Sequence, residues 1–116
     1  MRKIYACDNV LEYFENANRK ITDKLKFVLS YIADEKHPLC APYVKHISTA
    51  KYSLFYELRI KVAKEIVRVI FYLADNDIVL LYTFCKNDKR DTNKHLESAY
   101  RLFENGVFTK TEIKIE

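Results

Sequence analysis

The sequence predicts an α+β fold with two N-terminal helices, an antiparallel sheet of about four strands, and a C-terminal helix. Apolar residues recur at helical spacing early in the chain, alternate or run continuously through its middle, and return to helical spacing near its end. Pro38 and Pro42 separate the first helical region from the strands that follow, because proline ends a helix. These observations place the helices before and after a strand meander and predict that they pack on one face of the sheet.

The early part of the chain predicts a short strand and two helices. Lys3 to Ala6 is the strand, and Asp8 and Asn9 precede a first apolar stripe at helical spacing. A second stripe follows the i, i+4, i+7, i+8, i+11 pattern, with polar residues between its members: Ile21, Leu25, Val28, Leu29 and Ile32. Both patterns are those of amphipathic helices that bury one side.

Beyond Pro42 the period changes to that of strands. YVKHI is a short strand, residues 54–62 alternate between an apolar and a mostly polar face, and residues 66–74 and 78–85 are β-branched and aromatic. Ala63-Lys64 and Asp75-Asn76 are the expected tight turns. A third helix starts near Asp91 or Thr92, and Gly106 is placed to end it.

Length and composition bound the protein class. The chain has 116 residues, of which 49% are hydrophobic, which predicts one domain over residues 1–108 with a C-terminal tail at 109–116. Its longest unbroken apolar run, from Val69 to Ala74, is far shorter than the about 20 residues that cross a membrane. No apolar signal core follows the N-terminus, so we expect a cytoplasmic protein with no membrane partner.

Glycine and cysteine usage excludes several function classes. One glycine rules out the glycine-rich phosphate loops of common nucleotide-binding folds. Cys7, Cys40 and Cys85 are an odd, widely spaced set, which predicts plain thiols in a reducing compartment, with Cys85 packed in the core. His37-x-x-Cys40 with His46 nearby lacks the second ligand pair that structural zinc sites use, so we expect no metal and no cofactor.

Two arginines interrupt apolar strands, and the chain carries a net charge of +4, which permits an anionic ligand. Arg59 lies in YELRIKV and Arg68 in EIVRVIFYL. Either both project from one sheet face to hold a phosphate, or Arg68 pairs with Glu57 or Glu65 across strands or lies on a solvated sheet face. Further basic residues follow the last strand or lie after Pro42, where they would extend a basic rim: Lys86, Lys89, Arg90, Lys45 and His46.

The ordered set PYVKHI, LFYELR, IVRVIFYLADNDIVLLYTFCKN and KHLESAYRLFEN resembles the HigB/RelE-type toxins of bacterial toxin–antitoxin systems, in their phage-derived HigB-like branch. The resemblance runs from about Lys3 to Asn105. Arg59 stands at the arginine of the ELR motif, Arg68 at that of the next strand, and Lys86 at the first lysine of the F-x-K-K motif. Asn87 replaces the second lysine, and Thr83 stands where family members have histidine or glycine.

The resemblance implies a RelE-like fold and an endoribonuclease that cleaves messenger RNA on the ribosome and so inhibits translation. The ribose 2′-OH would attack the adjacent phosphate to form a 2′,3′-cyclic phosphate, while Arg68, Arg59 and Lys86 stabilise the added negative charge. His46 and Glu57 are both open as proton acceptor or donor, and Lys86 joins them if its neighbours favour the neutral amine. The rim residues that would bind RNA are Lys45, His46, Lys89 and Arg90.

The implied partners are a HigA-like helix-turn-helix antitoxin, the ribosome and messenger RNA, with operator DNA contacted only through the antitoxin. A non-catalytic module that binds RNA or protein on the same basic face is the main alternative. A metal-dependent nuclease is a weaker one, because it needs clustered carboxylates on strand ends and the strands carry Glu57 but no paired carboxylate.

Overall fold

The computed structural model describes residues 1–85, 89–106 and 108–115. These residues form three α-helices, a short 3-10 helix at Ala50–Tyr52 and six strands. The helices are α1 Asp8–Glu15, α2 Arg19–Ala33 and α3 Lys89–Asn105. The strands are β1 Ile4–Cys7, β2 Val44–His46, β3 Phe55–Val62, β4 Glu65–Ala74, β5 Asp77–Cys85 and β6 Lys110–Ile113. The predicted α+β class and the helix positions are confirmed, with α3 starting earlier than expected.

The sheet has six strands in the order β2-β3-β4-β5-β1-β6, rather than the four antiparallel strands predicted. β2 to β5 form the expected antiparallel meander. β1 joins it in parallel beside β5, because the two N-terminal helices carry the chain from β1 to the far edge. The segment predicted as a tail contributes β6, which pairs antiparallel with β1.

Helices cover both faces of the sheet, so the prediction that they pack on one face is wrong. α1 and α2 pack against the face that carries Leu58, Val69 and Leu80. α3 packs on the opposite face, where Leu96 and Ala99 contact the cluster that contains Ile70 and Leu81. β4 and β5 are apolar on both faces, so both faces have to be covered.

The two predicted tight turns and the predicted end of α3 each contain a residue with a positive backbone φ. Ala63 (φ 54°) lies in the β3–β4 turn and Asp75 (φ 58°) in the β4–β5 turn. Gly106 (φ 64°) ends α3, and its N–H donates to the carbonyl oxygen of Phe103. The tight β3–β4 turn sets the register that places the two arginines side by side.

Candidate functional site

The β3–β4 register places Arg59 directly opposite Arg68, as the sequence prediction of one shared sheet face requires. Glu57 lies two residues before Arg59, so its side chain projects from the same face. Lys45 of β2 is the register partner of Glu57 and joins this face from the edge of the sheet. Three strands therefore bring three cations and one carboxylate together on the side covered by α3.

Glu57 holds both arginines through one carboxylate oxygen. Its Oε1 accepts from Nη1 of Arg68 and, at 3.2 Å, from Nε of Arg59. The side chains of Glu57 and Arg68 are only 4% and 9% exposed, whereas that of Arg59 is 40% exposed. Two opposed guanidinium groups repel each other, and the buried carboxylate offsets that repulsion. Of the two predicted partners of Arg68, the structure selects Glu57.

A groove of about 160 Å³ lies over this cluster at the N-terminal end of α3. Its walls combine sheet residues with residues of the first turns of α3: Lys45, Glu57, Arg59, Arg68, Thr92 and Asn93. Nε of Arg68 and Oγ1 of Thr92 are buried, and within the described ranges they have no hydrogen-bond partner. Buried polar atoms normally have a partner, so a groove with unsatisfied donors and excess positive charge fits an anionic ligand such as a phosphate.

His46 does not reach this groove. It is the register partner of Tyr56, on the face packed against α1 and α2, and its ring centroid lies 4.9 Å from that of Tyr56. Its Nε2 lies 2.6 Å from the carbonyl oxygen of Ser53, to which it donates. Strand alternation explains the separation, because Lys45 and His46 are neighbours in sequence and project from opposite faces.

The other predicted basic residues lie partly or wholly outside the described structure. Lys86, which follows Cys85 in sequence, lies outside the described residues. Lys89 and Arg90 begin α3, and their side chains also lie outside the description. Of the predicted basic residues that the structure describes, Arg59, Arg68 and Lys45 therefore lie together at the groove.

The sequence prediction overlooked a histidine on α3 that lies beside the cluster. Nδ1 of His95 lies 2.8 Å from the hydroxyl oxygen of Tyr82, and its ring stacks on Phe84 at 4.1 Å between centroids. Phe84 is the register partner of Arg68, so the stack adjoins the arginine cluster. The sequence did contain a signal for this position. Thr92 and His95 are spaced i, i+3, which places them on one side of a helix that follows a basic run.

The cysteines behave differently from one another. Cys7 is buried, and burial raises the pKa of its thiol from the ordinary 9.0 to about 11. Cys85, predicted in the core, is exposed, because it ends β5 where the sheet meets solvent. Its Sγ lies 3.0 Å from the hydroxyl oxygen of Tyr13; burial, together with this hydrogen bond, raises the pKa of Tyr13 to about 12.

The described residues contain neither a cluster of metal ligands nor a membrane-spanning helix. No group of three or more histidine, cysteine, aspartate or glutamate side chains in residues 1–85, 89–106 and 108–115 is arranged to hold a metal ion. Over the same ranges, no helix has both the length and the apolar character needed to cross a bilayer.

The family of the chain follows from comparison with known proteins. The model of the family described as Phage derived protein Gp49-like matches residues 12–104, which span the last half of α1, all of α2, the β2–β5 meander and α3 up to Glu104. No curated protein and no solved structure gives a significant match. The match includes Lys45, Glu57, Arg59 and Arg68, and a phage-derived family is compatible with a toxin of a toxin–antitoxin system. The chain belongs to the Phage derived protein Gp49-like family.

Proposed function

We propose that the chain is the toxin of a type II toxin–antitoxin system and that it cleaves messenger RNA on the ribosome. The observation that carries this proposal is the groove in which Arg59, Arg68 and Lys45 outnumber the single carboxylate of Glu57. The buried, unsatisfied Nε of Arg68, within the described part of the chain, supports an anionic ligand there. RNA is the anion whose cleavage fits the family resemblance.

The proposed reaction needs no metal and no cofactor. The 2′-oxygen attacks the adjacent phosphorus and loses its proton, the bond from phosphorus to the 5′-oxygen breaks, and that oxygen gains a proton. The products are a 2′,3′-cyclic phosphate and a 5′-hydroxyl. Arg59 is exposed enough to contact the phosphate, and Arg68 adds positive charge from below, so both stabilise the pentacoordinate transition state.

Glu57 is a positioning residue in this scheme. Its Oε1 is engaged by two guanidinium groups, so it orients the arginines instead of accepting the 2′-proton. His95, held by Tyr82 and stacked on Phe84, is the candidate for proton transfer in place of His46, which lies across the sheet.

The toxin acts in the cytoplasm on translating ribosomes and is neutralised by a helix-turn-helix antitoxin. Operator DNA is contacted through that antitoxin and not by the toxin chain itself. Lys86, Lys89 and Arg90 extend the basic rim that contacts RNA next to the cleaved phosphate.

The test compares Arg59→Ala with Arg19→Ala, which removes an arginine that is 92% exposed on α2. Cleavage of messenger RNA on translating ribosomes is followed, with cyclic phosphate ends mapped in the products. We expect Arg59→Ala to slow cleavage by about 10²-fold, the effect of losing one preorganised donor, and Arg19→Ala to cleave normally. We also expect chelation of Zn²⁺ and Mn²⁺ to leave the rate unchanged. Intact messenger RNA with the unaltered protein would overturn the assignment.

A second candidate function is a non-catalytic RNA- or protein-binding module. The observation that favours it is the burial of Arg68 in an ion pair with Glu57. Such a pair stabilises the fold and needs no catalytic role. In that case the unaltered protein binds RNA or a protein partner, and no cyclic phosphate ends form in the bound RNA.

A further inference from the structure

A basic and aromatic stripe runs along the exposed side of α2. Lys20, Lys24, Phe27 and Tyr31 are separated by four, three and four residues, so they lie on one side of the helix. Phe27 is 54% exposed, which is unusual for a large apolar side chain in the described part of this chain. These four residues, with Tyr43, are called the α2 stripe below.

The rings of the α2 stripe are held in place by one another. Tyr43, from the segment before β2, packs edge to face against Phe27 with centroids 5.9 Å apart and against Tyr31 at 5.2 Å. Nζ of Lys24 lies 5.4 Å from the centroid of Phe27 and 5.5 Å from that of Tyr43. The stripe is therefore an ordered surface, whose side chains lose little further entropy when a partner binds.

Core packing accounts for part of Tyr31 and Tyr43, which are half-buried against the sheet cluster, but not for the exposed Phe27, because α2 buries its other side. The residues it buries against the sheet include Ile21, Leu25 and Val28. Asp23, the one acidic residue of α2, lies 3.7 Å from Arg19, so the helix presents a net positive charge beside its exposed aromatic rings. An exposed aromatic cluster with a charged margin is typical of a protein-binding surface.

We propose that the α2 stripe binds an acidic amphipathic helix of a partner protein. Apolar side chains of that helix pack against Phe27, and its carboxylates pair with Lys20 and Lys24. This arrangement is helix-to-surface recognition by regularly spaced apolar anchors, with charge complementarity setting the partner and its orientation.

The ring geometry favours a peptide over RNA at this surface. Phe27 and Tyr43 meet edge to face, and the ammonium group of Lys24 already lies over both rings. A nucleobase needs an open ring face on which to stack, whereas aliphatic side chains pack against the faces and the edges of a ring alike. The stripe also belongs to the helix layer on the opposite side of the sheet from the groove of Arg59 and Arg68.

The surface is independent of the proposed catalytic groove, and its test uses the full chain. The probe is a labelled peptide about 18 residues long, with leucine along one helical face and glutamate on the other. The comparison probes are the same peptide with lysine for glutamate, and a uridine oligonucleotide with 2′-O-methyl groups that resist cleavage. Fluorescence anisotropy reports binding, and circular dichroism confirms that each variant is folded.

We expect the glutamate peptide to bind saturably, and Phe27→Ser and Lys24→Glu each to weaken it by about tenfold. Lys26→Glu is the matched control, because Lys26 lies on another side of α2, near Leu29 and Ile113, and should change affinity by less than about twofold. Arg59→Ala should leave peptide binding intact, which separates this proposal from the groove.

Three results would overturn the proposal. The first is the absence of saturable binding of the glutamate peptide. The second is equal binding of the lysine peptide, which would indicate plain hydrophobic adhesion. The third is binding of the oligonucleotide that both Phe27→Ser and Lys24→Glu abolish, which would make the stripe a nucleic-acid surface.

Discussion

At the scale of residues, the ion pair between Glu57 and Arg68 sets both the stability and the chemistry of the groove. Nearly complete burial of both side chains makes each dependent on the other, because an unpaired buried charge is costly. Arg59 shares the same carboxylate oxygen but is partly exposed, so it is the arginine whose removal reports on function with less damage to the fold.

We expect Glu57→Leu and Arg68→Met, made singly, each to lower the free energy of unfolding by about 3 kcal/mol, since each strands a buried charge. The double variant replaces the pair with apolar side chains and should be more stable than either single variant. Urea unfolding of the four proteins measures this coupling. Single-variant losses that simply add would contradict a buried ion pair.

The buried thiol of Cys7 lowers the free energy of unfolding as the pH becomes alkaline. Its thiol has an ordinary pKa of 9.0 when the chain is unfolded and about 11 when it is folded, because burial disfavours the thiolate. The folded state therefore holds a proton that the unfolded state loses, so this contribution is complete below pH 9.0 and is lost as pH rises toward about 11. Urea unfolding across that window should show a shallower decline for Cys7→Ala than for the unaltered chain. Cys40→Ala, which removes an exposed thiol, should follow the unaltered chain.

At the scale of elements, α3 is held over the groove by hydrogen bonds of Glu97 that no sequence pattern predicts. Oε2 of Glu97 accepts from Lys51 at 2.8 Å and from the hydroxyl of Tyr52 at 2.5 Å. These bonds join α3 to the short 3-10 helix, and they lower the pKa of Glu97 below its ordinary value. Loss of this contact should loosen the helix that forms one wall of the groove.

The lowered pKa of Glu97 predicts that acid loosens α3. The contribution of Glu97 is present above its unfolded pKa and disappears as pH falls through the lower folded pKa, where the carboxylate gains a proton. Amides of α3 should then exchange with solvent faster relative to those of β4, as hydrogen exchange measures. Glu97→Gln should show that faster exchange already at neutral pH, while Glu15→Gln, at an exposed site on α1, should not.

The C-terminal strand β6 protects the edge of the sheet. It pairs along the whole of β1, from Ile4 opposite Ile113 to Cys7 opposite Lys110. Removal of residues 109–116 should expose the backbone donors and acceptors of β1 and promote self-association, because an open strand edge is a template for another chain. Light scattering measures this effect. Removal of residues 114–116 alone leaves β6 intact, so this shorter truncation should remain monodisperse. Self-association of the shorter truncation would show that the exposed edge of β1 is not the cause.

At the scale of the whole molecule, a net charge of +4 and the clustered cations of the groove predict salt-sensitive RNA binding. Three phosphate contacts to single-stranded RNA give a slope of log affinity against log salt of about −2. We expect a 2′-O-methyl oligonucleotide to follow this slope, and Lys45→Ala to make it shallower by about 0.7. Lys114→Ala, an exposed lysine after β6, should leave the slope unchanged. Affinity that does not vary with salt would exclude a phosphate-binding groove.

The sequence by itself determined the local features of this protein. Helical spacing located α1, α2 and α3, and alternation and β-branching located β2 to β5. The tight turns at Ala63-Lys64 and Asp75-Asn76 were predicted from their place between these strands. The placement of Arg59 and Arg68 in consecutive strands was also visible, because a short hairpin makes register a local property.

Only the tertiary structure decided which distant segments meet. The pairing of β1 with β5 and β6 depends on contacts across more than half of the chain, which no local pattern encodes. The same holds for the position of α3 over the second sheet face, which brings Thr92 into the groove wall and stacks His95 on Phe84, the register partner of Arg68. His46 and Lys45 are neighbours in sequence, but the pleat of β2 sends them to opposite faces, and packing of α3 on one face makes Lys45 a groove residue.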